Sequence, residues 1–331
     1  MGKITLKELA SQLGLSVASV SRALNDSHEI SEETKVKVRK LASDLDYRPN
    51  IFASSLRNNR SKTLALIIPE LSNNFFTQVL KGVEHVANSK GYHVMVYGSG
   101  ENSEKELSIL QHLTNGRVDG ILLSTCTGNH QGDHFKQLQD NNIPVVFFDR
   151  VLDRSPYSKI VSNDFQSAYL ATQHLISKAC RKIMFLSAGN HFSNIKNRIK
   201  GFERALEEEG ESFQGLILDF AGQHDQHQFL RNQLRAFQPD AIFSSVENLA
   251  IVTYDVCADL GINIPENLKV LSYSNNEIAR HFNPSLTTIV QPAFEMGKNA
   301  AENLLRYLKY EKEKGQILVL DSELVVRRSS S

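Results

Sequence analysis

Residues 4–25 read ITLKELASQLGLSVASVSRALN, and this stretch decides how the start of the chain folds. Thr5 is a good N-cap, and Glu8 three residues on completes a capping box. Leu6, Leu9, Ala10 and Leu13 recur at helical spacing and give one apolar face. Gly14 ends that helix, because a left-handed cap costs glycine no steric strain. Ser16 caps a second helix, in which Val20 and Leu24 face inward while Val17, Ala18, Ser19, Ser21 and Arg22 face outward. Two short helices joined across a glycine turn make a helix-turn-helix, whose second helix can lie in a major groove with its first residues on base edges.

The residues that follow extend the pattern. Ser31 caps a third helix, with Glu32 and Glu33 in the first turn, where acidic groups suit the helix dipole. Val38, Leu41, Ala42 and Leu45 form its buried stripe. Tyr47-Arg48-Pro49 ends it, since the residue before proline disfavours the helical region. Asn50 caps a further short helix over 51–57, followed by a polar stretch over 58–62. Thr5-Leu6, Ala10, Gly14, Leu15-Ser16, Val20-Ser21-Arg22, Leu24-Asn25, Ser31, Thr34, Tyr47, Pro49-Asn50, Ala53 and Leu56 stand in one register without gaps. In that register the segment resembles the headpiece and hinge of the lactose/galactose repressor (LacI/GalR) family of bacterial transcription regulators.

Composition agrees with a regulator of several domains. A chain of 331 residues is too long for one core. Its formal net charge is zero but unevenly spread: residues 1–62 carry 11 Lys/Arg against 7 Asp/Glu, and the remainder is correspondingly acidic. A modestly basic head on an acidic body suits a head that meets phosphates. Met1 leads directly into a capped polar helix with no apolar h-region, and no run is long enough to span a bilayer, so a cytoplasmic bacterial protein with no membrane partner is expected. Cys126, Cys180 and Cys257 are scattered, without metal-ligand spacing, so neither a disulfide framework nor a metal is expected.

From Thr63 onward short apolar runs, at 64–69, 94–97, 120–124, 145–149, 183–187, 241–244 and 270–273, alternate with helical patterns. The helical stretches include 76–89, 103–115, 168–177, 197–209 and 249–260. Alternation of this kind implies parallel sheets with helices on both faces, and ligands bind outside the carboxyl ends of such strands. The body resembles the same family through Asn74-Phe75-Phe76, Val118-Asp119-Gly120-Ile121, Phe148-Asp149-Arg150, Arg198-Ile199-Lys200-Gly201-Phe202 and Pro284-Ser285-Leu286-Thr287-Thr288-Ile289, among others.

The resemblance implies an all-α head at 1–49 and a hinge helix and linker at 50–62. It also implies an α/β body at 63–331 like a periplasmic sugar-binding protein, with two doubly wound parallel-sheet subdomains. The halves are interwoven: 63–160 with 291–320, and 161–290 with 321–331. It implies a homodimer on a pseudo-palindromic, double-stranded operator. Some relatives become tetramers through an added C-terminal heptad helix; here the chain stops at Ser331 without one, so a dimer is expected.

Within that register the DNA-facing residues are Thr5, Leu6, Ser16, Val17, Ala18, Ser19, Ser21, Arg22, Asn25, Thr34 and Tyr47 in the head and Asn50, Ala53 and Leu56 in the hinge. Arg22 has the fork to bond guanine O6 and N7. Val17 and Ala18 can meet thymine methyls. Ser16, Ser19, Ser21, Asn25 and Thr34 are short polar groups suited to phosphates. Ala53 is small enough for two hinge helices to meet, and Leu56 resembles the family's minor-groove wedge. A seven-residue helix is unstable alone, so 50–57 is expected to be helical only on DNA.

For an effector, the matching positions are Asn74, Phe75, Phe76, Cys126, Asp149, Arg198, Glu247, Ser274 and Asn275. Glu247 stands where relatives usually carry Asp, Ser274-Asn275 replaces an Asp-Asn, and Cys126 falls where another member has serine. The acidic groups favour a polyhydroxylated, sugar-like small molecule over an anion. The rival readings are a small-molecule-binding protein, or a sugar or nucleotide enzyme, with a helical N-terminus that does not bind DNA. No G-x-G-x-x-G after the first strand, P-loop, G-x-S-x-G or H-E-x-x-H supports an enzyme, and no catalytic residue or cofactor is expected.

Overall fold

The computed structural model describes residues 4–47, 61–114, 117–126, 138, 141, 143–152, 155–310 and 315–331. The chain divides into two compact units, 1–61 and 62–331. The proposed hinge residues Asn50, Ala53 and Leu56 lie outside the described residues.

The first unit holds three helices, α1 (Leu6–Leu13), α2 (Val17–Leu24) and α3 (Glu32–Asp44). Each begins at the cap its sequence announces. Thr5 and Glu8 form a reciprocal capping box, Ser16 accepts from the Ser19 amide, and Ser31 accepts from the Thr34 amide. Gly14 closes α1 in the left-handed region, at φ 61°. Leu9, Ala10, Val20, Ala23, Val38 and Ala42 form the head's core, with Leu6, Leu13, Leu15, Leu24, Leu41, Leu45 and Tyr47 packed around it. Two expectations shift. Ala23, not Leu24, is the fully buried partner of Val20, and Val17 packs partly against the core rather than standing clear of it. At 3.6 residues per turn the i+3 position sits closer to the centre of the buried stripe here than i+4, and Val17 shares that stripe one turn earlier.

The second unit is built on two six-stranded sheets. Sheet I has the order β11-β5-β4-β3-β1-β2, from β1 (Thr63–Ile68), β2 (His93–Gly98), β3 (Gly120–Leu123), β4 (Val145–Phe148), β5 (Ser158–Ser162) and β11 (Ile317–Leu320). Sheet II has the order β12-β10-β9-β8-β6-β7. Its strands are β6 (Lys182–Ser187), β7 (Gln214–Asp219), β8 (Ala241–Ser244), β9 (Lys269–Tyr273), β10 (Thr287–Val290) and β12 (Glu323–Val325). Sheet I is parallel throughout. Sheet II is parallel except for β12, which runs antiparallel to β10. The two parallel-sheet subdomains expected from the sequence are present, with one antiparallel edge strand. Only Asp321 and Ser322 separate β11, at the edge of sheet I, from β12, at the edge of sheet II.

Both faces of each sheet are buried, so the inner strands read as continuous apolar runs rather than alternating ones. In β1, Leu64, Leu66 and Ile68 enter one core while Ala65 and Ile67 enter another on the opposite face. In β6, Met184 and Leu186 divide from Ile183 and Phe185 in the same way. The helices are α4 (Asn74–Ser89), α5 (Ser103–Leu113), α6 (Asp164–Ser177), α7 (Ser193–Glu209), α8 (Gln226–Phe237), α9 (Glu247–Leu260) and α10 (Ala293–Tyr310). Helices α4 and α10 touch at backbone level: a Cβ on Gly82 would overlap the Phe294 carbonyl, and one on Gly297 the Val79 carbonyl.

The chain passes from sheet I to sheet II after β5, returns after β10 for α10 and β11, and crosses again to β12. Three connections therefore join the two halves. No helix among the described residues is long and apolar enough to cross a membrane.

Candidate functional site

In the head, most of the polar groups singled out from sequence make local bonds. Thr5 Oγ1 bonds the Glu8 carboxylate at 3.0 Å, and Ser16 Oγ lies 2.9 Å from Ser19 Oγ. Thr34 Oγ1 is paired with Ser31 Oγ at 2.9 Å, and Asn25 Nδ2 donates to the Ser21 carbonyl at 2.9 Å. Ala18 and Arg22 are exposed on α2, while Ser19 and Ser21 are half-buried. Arg22 Nε lies 3.1 Å from Glu29 Oε2, an ion pair in which both side chains are about half exposed, 56% and 53%. Leu6 and Tyr47 rest on the head core, and burial pushes the Tyr47 hydroxyl pKa above its ordinary value.

In the body, the carboxyl ends of strands from both sheets open onto one cleft. Sheet I contributes Asn73, Phe75 and Phe76 after β1 and Asp149 and Arg150 after β4. Sheet II contributes Asn194, Ile195 and Arg198 from the first turns of α7, Ser245, Val246 and Glu247 after β8, Tyr273, Ser274 and Asn275 at the end of β9, and Gln291 after β10. Switch points in doubly wound sheets place ligands at these ends.

A buried charge network forms the floor. Arg198 Nε donates to Asp164 Oδ1 at 2.8 Å and Nη1 to the Ser245 carbonyl at 2.6 Å, while its guanidinium stacks on the Tyr273 ring at 3.6 Å. Asn194 Nδ2 donates to Asp149 Oδ1 at 3.0 Å. Burial raises the Asp149 carboxyl pKa against the pull of Arg150 and Arg198, and raises that of Asp164 to about 6 despite its bond to Arg198. Burial also opposes the Arg198 charge, but Asp164, Tyr273 and Asp149 outweigh it and keep the arginine ionised. Asp149 sits in the left-handed region at φ 55°, a strained position for a residue with a side chain.

Three buried guanidinium nitrogens find no hydrogen-bond partner among the described residues: Arg231 Nε, away from the cleft lining, and Arg198 Nη2 and Arg150 Nε. Arg150 and Arg198 line the cleft. Such donors are costly to leave unmade. Arg150 also bonds Glu101 Oε2 at 2.6 Å and covers the Phe192 ring at 3.9 Å.

Bonds cross the cleft directly. Asn74 Nδ2 donates to the Asn275 carbonyl at 2.6 Å, and the Val151 amide donates to Ser193 Oγ at 3.0 Å. With the Asn194–Asp149 bond, they tie sheet I's loops to sheet II's.

Of the nine effector positions read from sequence, Phe75, Phe76, Asp149, Arg198, Glu247, Ser274 and Asn275 line this cleft. The two phenylalanines are 7% and 3% exposed and pack mainly into the sheet I core. Glu247 is anchored by Ser274 Oγ at 2.6 Å and Asn276 Nδ2 at 3.0 Å. Asn74 is not among the lining residues and makes the cross-cleft bond instead. Cys126 does not line the cleft either: its amide bonds Glu106 at 2.7 Å, and burial with the neighbouring Glu106 pushes its thiol up to about 12.

Lining residues that the sequence reading did not single out include Asn73, Arg150, Asn194, Tyr273 and Gln291. Asn73 carried a signal, as a cap residue just past a strand. Arg150 stood beside Asp149 in a family marker but reads as a surface charge, because nothing local predicts its ring contact with Phe192.

Comparison with known proteins adds the family. Residues 5–50 match the model for bacterial regulatory proteins of the lacI family, and residues 172–330 the model for a periplasmic binding protein-like domain. The chain is 32% identical over 328 residues to an HTH-type transcriptional repressor PurR of Vibrio vulnificus, covering 98% of this chain and 97% of that one. It is 31% identical over 330 residues to a ribose operon repressor of Haemophilus influenzae, covering 98% of each. A crystal structure of the lac repressor dimer bound to operator and an anti-inducer shares the fold at TM-score 0.87 and 22% identity, covering 99% of each chain. With its capped helix-turn-helix head and its periplasmic-binding-protein-like body, the chain belongs to the lacI family and is a transcriptional regulator.

Proposed function

We propose that two copies of this chain grip a pseudo-palindromic operator with their heads, in the bacterial cytoplasm, while the body cleft binds a small polyhydroxylated molecule that controls the grip. The observation that carries the sensing half is the cleft's two-sided construction. Asn74–Asn275, Val151–Ser193 and Asp149–Asn194 bond across it, so a molecule seated there bears on both sheets at once. A ligand that favours one angle between the halves shifts the population toward it, by a coupling typically of ~1–3 kcal/mol.

The lining suits hydroxyl groups. Asp149 and Glu247 bring acceptors to the lining, and Arg150 and Arg198 bring guanidinium groups. Similarly folded regulators have been solved with cellobiose and with ribose. For the DNA half, α2 reads the major groove, with Arg22 on a guanine and the hydroxyls of Ser16, Ser19, Ser21 and Thr34 toward phosphates. Thr5, Leu6, Val17, Ala18, Asn25 and Tyr47 complete that surface. Asn50, Ala53 and Leu56 form a hinge helix on DNA, with Leu56 as a minor-groove wedge.

A thermal-shift screen of sugars, nucleosides and purines tests the sensor, followed by operator binding with each stabilising compound. A sugar-like compound is expected to raise the melting temperature and change operator affinity. Stabilisation by purines alone would overturn the ligand class, and intact operator binding with no stabilising compound would overturn the sensor. The DNA half fails if the full chain shows no salt-sensitive preference for any inverted-repeat duplex over random DNA. Leu56→Ala is expected to weaken operator binding; unchanged affinity would remove the wedge.

A further inference from the structure

We propose that Glu29 is a positioning residue for Arg22: it holds the guanidinium by Nε and leaves the two terminal Nη groups to fork onto a guanine. This rests on the reading of α2 as the base-reading helix. Arginine carries five N–H donors in a rigid plane, and recognition of guanine O6 and N7 requires two of them side by side. A carboxylate ion-paired on the Nε side biases the plane's orientation. In the free head Arg22 Nε lies 3.1 Å from Glu29 Oε2. An unbraced arginine samples many rotamers and loses that freedom on binding; a braced one is partly ordered beforehand.

A pair this exposed orients nothing unless its backbone is held, and the turn between α2 and α3 is held. The Ser27 amide donates to the Arg22 carbonyl at 3.0 Å, which folds the chain back over the end of α2. The Ile30 amide donates to the Ser27 carbonyl at 3.3 Å, and the Glu29 amide to Ser27 Oγ at 3.3 Å. Ile30 packs on the head core. Asp26, in the left-handed region at φ 58°, takes Lys35 at 3.2 Å and Arg39 at 2.6 Å, both from α3. Glu29 thus hangs from a loop fastened to α2, α3 and the core, seven residues beyond the arginine it meets.

The arrangement sacrifices affinity for selectivity. A carboxylate near the duplex repels phosphates, which weakens binding to every sequence, whereas fixing the Arg22 fork rewards only a correctly placed guanine. Glu29 is exposed and outside the core, so its replacement leaves the head folded.

The test uses the full chain and an inverted-repeat duplex that the wild-type protein selects from a randomised pool. Affinities are measured for that duplex, for versions with each half-site guanine replaced in turn, and for random DNA. Arg22→Ala is expected to abolish discrimination at one guanine. Glu29→Ala is expected to reduce discrimination at that same guanine by ~3- to 10-fold, leave other positions unchanged and tighten binding to random DNA. Glu29→Gln, which keeps an acceptor oxygen, falls between. In the Arg22→Ala background, Glu29→Ala removes no further discrimination. The proposal is overturned if Arg22→Ala erases the guanine preference while Glu29→Ala leaves it intact, or if Glu29→Ala relaxes every position alike. Should Arg22→Ala leave every guanine preference untouched, the assignment of Arg22 as base reader falls too, and that result is distinct from the other two.

Discussion

The head and the cleft each depend on an arginine paired with a carboxylate, under opposite conditions. Arg22–Glu29 stands in solvent, whereas both side chains of Arg198–Asp164 are 2% exposed. Exposed pairs are screened by salt and contribute little to stability, so the head's pair serves to orient Arg22 rather than to hold the fold together. The buried pair resists disruption, because removing either partner strands a charge in low dielectric. One arrangement suits a surface that must exchange partners. The other suits a floor that must stay fixed while a ligand comes and goes above it.

The largest test of that contrast is Arg198→Ala. It leaves Asp164 without its ion-pair partner and is expected to destabilise the body by ~3–5 kcal/mol, read as a lower urea midpoint. The apolar pair Arg198→Met/Asp164→Leu is expected to recover most of that loss, because no charge is then stranded. A double variant no more stable than Arg198→Ala would show that packing on Tyr273, rather than charge, makes the floor rigid.

Next in size is Gly297→Ala, which forces a methyl against the Val79 carbonyl where α10 crosses α4. A loss of ~1–3 kcal/mol is expected, confined to the body and visible as faster hydrogen exchange in α4 and α10. In the head, Ser16→Ala removes the bond to the Ser19 amide and is expected to cost about 1 kcal/mol, speeding exchange in α2 while leaving the body unchanged. The smallest effect concerns His174, half-buried and bonded to Ser330 at 2.8 Å. Burial and the nearby Lys178 and Lys269 hold its pKa below the ordinary 6.5, so the fold favours the neutral ring. Its contribution is complete above pH 6.5 and is lost as the pH falls through the depressed value. The melting temperature of wild type should therefore fall more steeply below that pH than that of His174→Gln.

The errors of the sequence reading share a cause. The helices read as starting near 168, 197 and 249 begin at Asp164, Ser193 and Glu247, and none of the three has a side-chain cap to announce it. The strands β7 and β11, at sheet edges, were not among the runs named beforehand. β7 opens on Gln214-Gly215 and ends on Asp219, which breaks up its apolar run, whereas β11 is a short apolar run, Ile317–Leu320, that stays largely exposed at its edge. β5 carries a buried lysine, Lys159, and so reads as polar.

Sequence alone determined what depends on neighbours three or four residues apart: the Thr5–Glu8 box, the Ser16 and Ser31 caps, the Gly14 stop, and the apolar stripes behind them. It also determined the class of the body, because inner parallel strands must be apolar on both faces. Only the tertiary structure decided the cleft. Asn74 meets Asn275 across 201 residues of chain, Arg198 finds Asp164 and Ser245, and Arg150 finds Phe192. No periodicity encodes such meetings. They follow from the carboxyl ends of two sheets being brought to one cleft by a chain that crosses between them three times, and that geometry exists only once both sheets have formed.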